Sequence, residues 1–384
     1  LAIPDSLMLA MRASPCLDLQ LSDDERVALA ALRQGHDVVM TPQESLYFDH
    51  YQSDLPDEWP GQPPMATLRQ AYDTAVIPVG ATAAEAARVI GVQAGLWTEL
   101  MPTFTRAQHA LFPRIAALSE LGWSPAGVRD WNGFLQRLPA ELARYRALGI
   151  GYADTAFAPA FEVTAGSKGT LQVALSNQLN SGAIRYTTDG STPTSTSTPY
   201  ARPLEFSARG RVTLRAATFA PDDFELAATR TQVLDPATLL SRNGNKLASC
   251  SKQPGMRLGG KQPAAGPRPV YTMDIGNMCW QWPQAPLEGI RHVALTVERV
   301  TWRFGDEARD AVVRPRASAV GEFEIRADSC AGPLLASLPL APAARVAGQA
   351  SLSADISPLK GSRVRSLCIF ATGDPRDGQW ALAR

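Results

Sequence analysis

The sequence lacks the features of a nucleic-acid-binding or membrane-spanning protein. Its 37 basic residues balance 37 acidic ones, so no net field attracts a polyanion or an acidic membrane surface. No run approaches the roughly 20 apolar residues that cross a bilayer. We therefore expect a neutral ligand, with neither nucleic acid nor a membrane as partner.

The first residues, LAIPDSLMLAMRASP, lack the basic start and the longer apolar run of a signal peptide. The chain also begins with Leu1. We expect an N-terminus that is mature, cropped or fragmentary. The elements missing from the first region favour a fragmentary one.

Histidine and cysteine are scarce, and their spacing indicates no metal site. The four His residues are scattered and no two Cys have the close spacing of a zinc knuckle, so we expect neither a metal nor a cofactor. Cys16 stands alone, and four cysteines fall in the last third: Cys250, Cys279, Cys330 and Cys368. These four can form two disulfides in three connectivities, which implies a periplasmic or secreted protein. The alternative is reduced thiols buried as small hydrophobic groups.

The length of 384 residues suggests two or three domains, and the sequence pattern changes twice. Residues 1–155 alternate between helix and strand. ERVALAALRQ is a helix that ends at Gly35, HDVVMTP a buried strand, ATAAEAARVIG a helix with a terminal Gly and VQAGLW a second strand. AQHALFPRIAALSELGW and WNGFLQRLPAELARYRALG are the closing helices. This order predicts a parallel α/β fold, in which ligand-binding groups lie on loops after the strands.

Residues 159–236 and 237–384 show the two-residue alternation of β-sandwiches. In the first of these regions the strands are LQVALSN, AIRYTTDGSTPT, PLEFS and RVTLRAATFA. STPTSTSTPY is predicted to be a polar hairpin loop rather than a glycosylated linker. In the second region the strands are VYTMDI, HVALTVERVTWRF, GEFEIRADSC, LLASLPL and SLCIFATG.

Three tryptophans of the last region are candidates for stacking on carbohydrate: Trp280, Trp282 and Trp380. A pyranose presents an apolar C–H face to an aromatic plane, which makes exposed Trp a common sugar platform. The alternative is that these side chains belong to the core of the sandwich.

The motifs QGHDVVMTPQESLYFDHYQ, GVQAGLWTEL and LFPRIAALSELGWSP, in this order and spacing, resemble the C-terminal part of family-20 glycoside hydrolases, the β-N-acetylhexosaminidases. The resemblance covers roughly residues 30–155 and implies the last part of a (β/α)8 TIM barrel, about strands six to eight. The YTTDGSTPT region is similar to the small immunoglobulin-like sandwich that follows the barrel in chitobiase-type members. The last region more loosely resembles the galactose-binding-like jelly rolls of carbohydrate-binding modules.

The resemblance implies sugar-binding roles for four residues. The Tyr47 hydroxyl would donate to the substrate acetamido oxygen, and Asp49 would accept from a sugar hydroxyl. Trp97 would wall the pocket, and Glu99 would accept from the hydroxyls farthest from the scissile bond. Charge-assisted pairing of adjacent hydroxyls by a carboxylate is strong and selective. From the residues alone, each has a different interpretation. Glu99 could be a solvated carboxylate at a strand end, Trp97 a core residue, and Tyr47 with Asp49 an ordinary turn.

In this family a terminal N-acetylhexosamine is released by a substrate-assisted retaining hydrolysis. The acetamido oxygen attacks the anomeric carbon, a Glu protonates the leaving oxygen, and the preceding Asp stabilises the acetamido group. Neither Asp57-Glu58 nor Asp306-Glu307 fits that pair, because the first follows Tyr47 and Asp49 and the second lies in the last β-region. The first region has about 150 α/β residues against roughly 250 for a whole barrel. Strands one to five, the catalytic Asp-Glu pair and the family's first-strand Arg are therefore expected to be absent.

The sequence thus supports three hypotheses. The first is the C-terminal portion of an exo-acting β-N-acetylhexosaminidase, which supplies part of the subsite for N-acetylhexosamine-terminated oligosaccharides or glycans. This portion would be inactive by itself, and a separately encoded N-terminal half would be its partner. The second is a non-catalytic carbohydrate-binding chain, and the third is an inactive gene fragment.

Overall fold

The structure is a computed structural model, and it describes residues 25–251, 255–259, 270–300, 311–358 and 364–384. Cys16 and the Asp306-Glu307 pair lie outside the described residues. In the described part, α-helices occur only before residue 150, and strands dominate after it. None of the described helices is both long enough and apolar enough to span a bilayer.

The first region combines helices with one parallel pair of strands. Its helices are α1 (Glu25–Arg33), α2 (Gln43–Leu46), α3 (Leu68–Tyr72), α4 (Ala83–Ala86), α5 (Phe104–Leu111), α6 (Arg114–Trp123) and α7 (Trp131–Ala147). Strand β1 (Val38–Met40) pairs in parallel with β2 (Val89–Val92). The predicted first helix and strand are confirmed, and Gly35 follows α1 with a φ of 87°, the conformation that favours glycine after a helix.

The predicted second helix, ATAAEAARVIG, is wrong in its C-terminal half. Helix α4 ends at Ala86, and Val89, Ile90 and Gly91 belong to β2. The β-branched side chains favour an extended backbone, and pairing with β1 provides its hydrogen-bond partners. The predicted strand VQAGLW therefore begins three residues earlier and contributes only Val92 to β2.

Proline divides the predicted helix AQHALFPRIAALSELGW into α5 and α6. Pro113 has no N–H to continue the helix, and the chain is extended at Phe112. Helix α7 starts after Asp130, whose side chain accepts from the N–H groups of Asn132 and Gly133. The three helices cover a core that continues into the next region.

The second region is a sandwich of two antiparallel sheets. Its strands are β3 (Ala160–Ala165), β4 (Thr170–Ser176), β5 (Ala183–Thr187), β6 (Thr198–Pro199), β7 (Leu204–Ser207), β8 (Val212–Phe219) and β9 (Glu225–Leu234). One sheet has the order β3-β4-β7 and the other β6-β5-β8-β9. The STPTSTSTPY run connects β5 to its antiparallel partner β6, so the predicted hairpin loop is confirmed. The sequence pattern missed β3 and β9.

The third region is a second sandwich. Its strands are β10 (Ala248–Ser249), β11 (Met256–Gly259), β12 (Val270–Met273), β13 (Cys279–Pro286), β14 (His292–Val300), β15 (Glu322–Ala327), β16 (Leu334–Pro339), β17 (Gln349–Asp355), β18 (Val364–Ala371) and β19 (Gln379–Leu382). A five-stranded sheet, β10-β13-β18-β15-β16, faces the sheet β17-β14-β19 across a large apolar core, and β11 pairs with β12.

Burial corrects the prediction for the tryptophans of this sandwich. The side chains of Trp280 and Trp380 are 1% and 5% exposed and lie in the core, so neither can stack on a sugar. Their strands turn these positions inward, where a large apolar ring is stabilised by burial. Trp282 is partly buried against the same core, with the Arg242 guanidinium 5.8 Å from its ring.

The four described cysteines form two disulfides, Cys250–Cys279 and Cys330–Cys368. Trp280 and its β18 neighbours Leu367 and Ile369 face the core. Successive side chains of a strand point to opposite faces, so Cys279 and Cys368 lie on the other face of the five-stranded sheet. Both are buried there with Phe370.

Candidate functional site

The candidate site forms where parallel pairing resumes beyond β1 and β2. The N–H of Gln93 donates to the Met40 carbonyl, at 2.9 Å. After α2, the N–H of Phe48 donates to the Gly95 carbonyl at 2.7 Å, and the Gly95 N–H donates to Leu46 at 2.9 Å. These bonds place Tyr47 beside Gly95. They bring the two segments that carry the predicted residues to one edge of the first region, beyond the C-terminal ends of β1 and β2.

Tyr47 and Trp97 lie against each other at this edge. Their ring centroids are 6.3 Å apart, and Tyr47 is 7% exposed while Trp97 is 42% exposed. A Cβ at Gly95 would lie 3.2 Å from the Tyr47 ring and 3.5 Å from Trp97 Nε1. Gly95 therefore leaves the space in which the two rings meet.

Asp49 connects the same two segments. Its side chain is buried, at 4% exposed, and the backbone N–H groups of Asp49 and Trp97 lie near enough to its carboxylate to act on its pKa. Burial raises the pKa of this carboxyl above its ordinary value, and the nearby Glu99 charge also raises it, against the N–H groups and Arg114. Among the described residues, Asp49 Oδ1 has no hydrogen-bond partner. A buried acceptor without a partner is a site that a ligand hydroxyl can satisfy.

Glu99 is exposed at the rim of this edge, close enough to Asp49 for its charge to act on the Asp49 pKa. The structure therefore brings together Tyr47, Asp49 and Trp97, with Glu99 near them. Two carboxylates and two aromatic rings form a surface that offers hydrogen-bond acceptors beside apolar faces. The roles of the four residues in sugar binding stay predictions.

A buried arginine that the sequence reasoning missed supports Asp49. Arg114, at the start of α6, is fully buried and donates to the carbonyls of Phe48, His50, Ala66 and Ala110. Its guanidinium also lies 4.6 Å from the Phe48 ring. Arg114 thus holds the backbone on both sides of Asp49. The signal was a charged residue in an otherwise apolar helix start, FPRIAAL.

The Asp57-Glu58 pair is structural, which agrees with its rejection as the catalytic pair. Glu58 is fully buried, and its carboxylate accepts from Ser53 Oγ at 2.9 Å and from the Trp59 N–H at 2.8 Å, with His109 Nε2 at 2.9 Å. Burial opposes its charge, but the contacts with His109, the Trp59 N–H and the Arg257 charge outweigh burial and lower the Glu58 pKa to about 2. A permanently ionised carboxylate cannot donate a proton as a general acid.

Residues 51–62, which follow Asp49, also connect the first region to both sandwiches. Asp57 forms an ion pair with Arg230 of β9. Arg257 of β11 is 2% exposed and donates to the carbonyls of Leu55, Pro56 and Glu58, and its backbone pairs with Gly61 in both directions. The third region is therefore packed against the segment that carries the site.

A further Asp-Glu pair, Asp24-Glu25, escaped the sequence reasoning. Glu25 lies in the first turn of α1 and is exposed, whereas Asp24 lies outside the described residues. An acidic residue in the first turn of a helix interacts favourably with the helix dipole. This interaction accounts for Glu25 without a catalytic role.

A groove of about 600 Å³ lies elsewhere in the first region, between α6 and α7. Trp123, Arg137 and Tyr145 line it, and none of the four predicted site residues does. The two carboxylates in its lining, Glu120 and Glu141, form ion pairs with Arg137 and Arg144.

Comparisons with known proteins give family matches for two parts of the chain. The model of the glycosyl hydrolase family 20 catalytic domain matches residues 20–126, a range that contains all four site residues. Residues 20–126 are therefore similar to the catalytic domain of that family. The model of the chitobiase/beta-hexosaminidase C-terminal domain matches residues 163–226, which form most of the first sandwich.

Two beta-hexosaminidases match the chain over limited lengths. A beta-hexosaminidase of Porphyromonas gingivalis is 35% identical over 196 residues, 50% of this chain and 25% of the relative. One from Akkermansia muciniphila is 33% identical over 106 residues, 28% of this chain and 21% of the relative. The chain thus spans about a quarter of the length of these curated relatives.

A solved structure with a similar segment is the family-20 exo β-N-acetylglucosaminidase of Vibrio harveyi in complex with N-acetylglucosamine. It is 33% identical, with 34% of this chain and 21% of that chain covered and a TM-score of 0.32.

Proposed function

We propose that Tyr47, Asp49, Trp97 and Glu99 form part of the N-acetylhexosamine subsite of a family-20 β-N-acetylhexosaminidase. The substrates would be oligosaccharides or glycans that end in N-acetylglucosamine or N-acetylgalactosamine. The supporting observation is the shared edge, where an unpaired, buried Asp49 oxygen lies between the loop of Tyr47 and the segment of Trp97.

Each of the four side chains has a part in this proposal. The Tyr47 hydroxyl donates to the acetamido oxygen of the sugar and so holds the group that attacks the anomeric carbon. Asp49 accepts from a sugar hydroxyl through its unpaired oxygen, and the charge on the acceptor strengthens the bond. The ring of Trp97 covers an apolar face of the sugar. Exposed Glu99 accepts from the hydroxyls farthest from the scissile bond.

We further propose that the residues that break the bond are not among those described. A substrate-assisted mechanism needs a general acid beside an orienting Asp. Glu58 is ionised and saturated with hydrogen bonds, and Glu25 lies in a helix that precedes β1. The acid and its Asp would come from further barrel strands, on this polypeptide or on a separate one, and β1 and β2 would be late strands of that barrel.

We also propose a periplasmic or secreted location, which the two disulfides support because such bonds persist in oxidising compartments.

Hydrolysis of a chromogenic aryl N-acetylglucosaminide tests the proposal. The 384-residue chain is expected to release no chromophore above the buffer rate. Robust release that Asp49→Asn abolishes would show that the chain contains a general acid and refute its absence. Release that Asp49→Asn leaves unchanged would show that the activity does not depend on this subsite and would contradict the proposed site.

A further inference from the structure

The sulfur atoms of Cys250, Cys279, Cys330 and Cys368 converge on one point of the third region. All four Sγ atoms lie within 4.8 Å of one another. Cys279 Sγ is 3.6 Å from Cys368 Sγ and 3.8 Å from Cys330 Sγ, although neither is its disulfide partner. Two independent disulfides need no contact with each other, so the pairing alone does not explain this convergence.

We propose that, once both disulfides are reduced, these four cysteines form a tetrathiolate site for a zinc-like divalent ion. Zinc bound by four thiolates has Zn–S distances of about 2.3 Å in a tetrahedron, which places the sulfurs about 3.8 Å apart. The contacts between the two disulfides already have this spacing. Reduction lets each bonded pair separate to the same distance.

The ligands combine rigid and adjustable positions. Cys279 and Cys368 belong to paired central strands, β13 and β18, and are 0% and 1% exposed. Cys250 follows β10, and Cys330 lies in the turn between β15 and β16; both are partly buried. Two ligands are thus fixed by the sheet, and two on short connections can adapt to the metal.

The surroundings favour the net negative charge of such a site. Arg326 lies directly opposite Cys368 in the sheet, although it also pairs with Glu324. The guanidinium groups of Arg314 and Arg326 are 4.8 and 5.9 Å from the ring of Phe370, which packs with the buried cysteines. A divalent ion with four thiolates carries two negative charges, and the two cations act against these as well as against the carboxylates of Asp274 and Glu324.

A trialkylphosphine can reduce both disulfides. For each disulfide, the phosphine takes the oxygen of one water to become a phosphine oxide, and the two hydrogens of that water complete two thiols. Four thiols then bind one metal ion and release four protons. Thiolates are the ligands of soft and borderline metals. Hydrogen peroxide would reverse the process by oxidising the thiolates to disulfides and expelling the ion.

Cobalt(II) is a suitable probe because tetrahedral thiolate coordination gives it intense charge-transfer and d–d absorption. The full chain is reduced, separated from the phosphine without oxygen and titrated with cobalt(II). The expected result is about one cobalt per chain, with thiolate charge-transfer bands and displacement by zinc. Cys16→Ser is the matched control and should leave these bands unchanged.

Cys250→Ser and Cys330→Ser change the partly buried ligands and test the assignment. Each should abolish the four-thiolate spectrum, and near-ultraviolet circular dichroism shows whether the sandwich is still folded. A reduced chain that takes up no cobalt, folded or not, overturns the proposal. So does a spectrum that both variants retain, or one that Cys16→Ser removes. The outcome is independent of any hydrolytic activity or sugar binding at the Asp49 site.

Discussion

The candidate site has two walls of different physical character. The β1 loop, residues 47–62, is mostly buried, and Phe48, Asp49 and His50 are 0%, 4% and 1% exposed. The β2 segment, residues 95–101, leaves Trp97 and Glu99 exposed. The fold fixes the first wall through arginines from α6 and β11, whereas solvent surrounds much of the second. The difference implies that substitutions at the buried supports of the β1 loop mainly change stability, while those at the exposed positions of the β2 segment mainly change binding.

Removal of the Arg114 guanidinium should have the largest effect on the buried wall. Arg114→Met leaves four backbone carbonyls without their donor, and breaking a buried charged network costs about 3–5 kcal/mol. We expect a corresponding loss in the free energy of unfolding, measured by far-ultraviolet circular dichroism in urea. The helical signal reports the first region, which contains the described α-helices.

Arg137→Met is the matched control. Arg137 forms an ion pair with Glu120 on the exposed surface of α7, and such pairs contribute about 0–1 kcal/mol. An equal loss in both variants would contradict the special role of the buried arginine.

Acid should weaken the same wall through Glu58. Its pKa is lowered from 4.5 to about 2 in the folded chain, so its contribution is present above pH 4.5 and disappears as the pH falls towards 2. The difference corresponds to roughly 3 kcal/mol. In Glu58→Gln, the unfolding free energy should lose this dependence below pH 4.5, measured by urea titration at several pH values.

His50 provides an internal control for that experiment. Burial and the Arg114 charge lower the His50 pKa from 6.5 to about 4. Protonation therefore favours the unfolded chain, and stability falls as the pH drops from 6.5 to about 4. This upper part of the profile should persist in Glu58→Gln. Identical profiles below pH 4.5 in the two proteins would exclude Glu58 as the acid-sensitive group.

Gly95 joins the two walls, and its substitution should have an intermediate effect. In Gly95→Ala the new methyl group meets the Tyr47 ring at 3.2 Å, so the ring must shift, at a cost of about 1 kcal/mol or more. Sugar binding should weaken with it. Gly91→Ala, in β2 four residues before Gly95, is the control, because no atom lies within 4 Å of its added Cβ. Comparable losses in both variants would exclude the close approach of the rings as the cause.

The exposed wall should separate binding from stability. Glu99→Gln is expected to change the free energy of unfolding by less than about 0.5 kcal/mol and to weaken N-acetylglucosamine binding, because the uncharged amide is a poorer acceptor for hydroxyls. Glu44→Gln, at an exposed position of α2, should change neither quantity. A large loss of stability in Glu99→Gln would contradict the inference that the exposed wall contributes to binding and little to stability.

Local patterns predicted the parts of this molecule that depend on local physics. Helix α1 with Gly35, strand β1 and part of the strands of each sandwich were visible in the sequence, whereas β3, β9, β10, β11, β13, β17 and β19 were missed. Tyr47, Asp49, Trp97 and Glu99 were identified through the resemblance to family-20 glycoside hydrolases, which the motifs around them carry. The predicted helix ran too far into β2 because Ala-rich residues are followed directly by β-branched ones. Only pairing with β1 decides that residues 89–91 form a strand rather than a helix.

Long-range contacts were not predictable from the sequence. The burial of Trp280 and Trp380 depends on which face of each strand meets the opposite sheet. Arg257 reaches residues 55–58 from about 200 positions away. Likewise, Cys250 and Cys330 lie beside Cys279 and Cys368 because the five-stranded sheet brings together segments that are far apart in the sequence.

Binding of N-acetylglucosamine to the 384-residue chain tests the central claim most directly. Titration followed by the indole N–H signals in ¹H–¹⁵N NMR spectra should show a saturable shift of the Trp97 signal, assigned through Trp97→Phe. Asp49→Asn should remove the shift, and exposed Trp123 should remain unaffected. No saturable shift, or an equal shift in Asp49→Asn, would contradict the assignment of this edge as a sugar subsite.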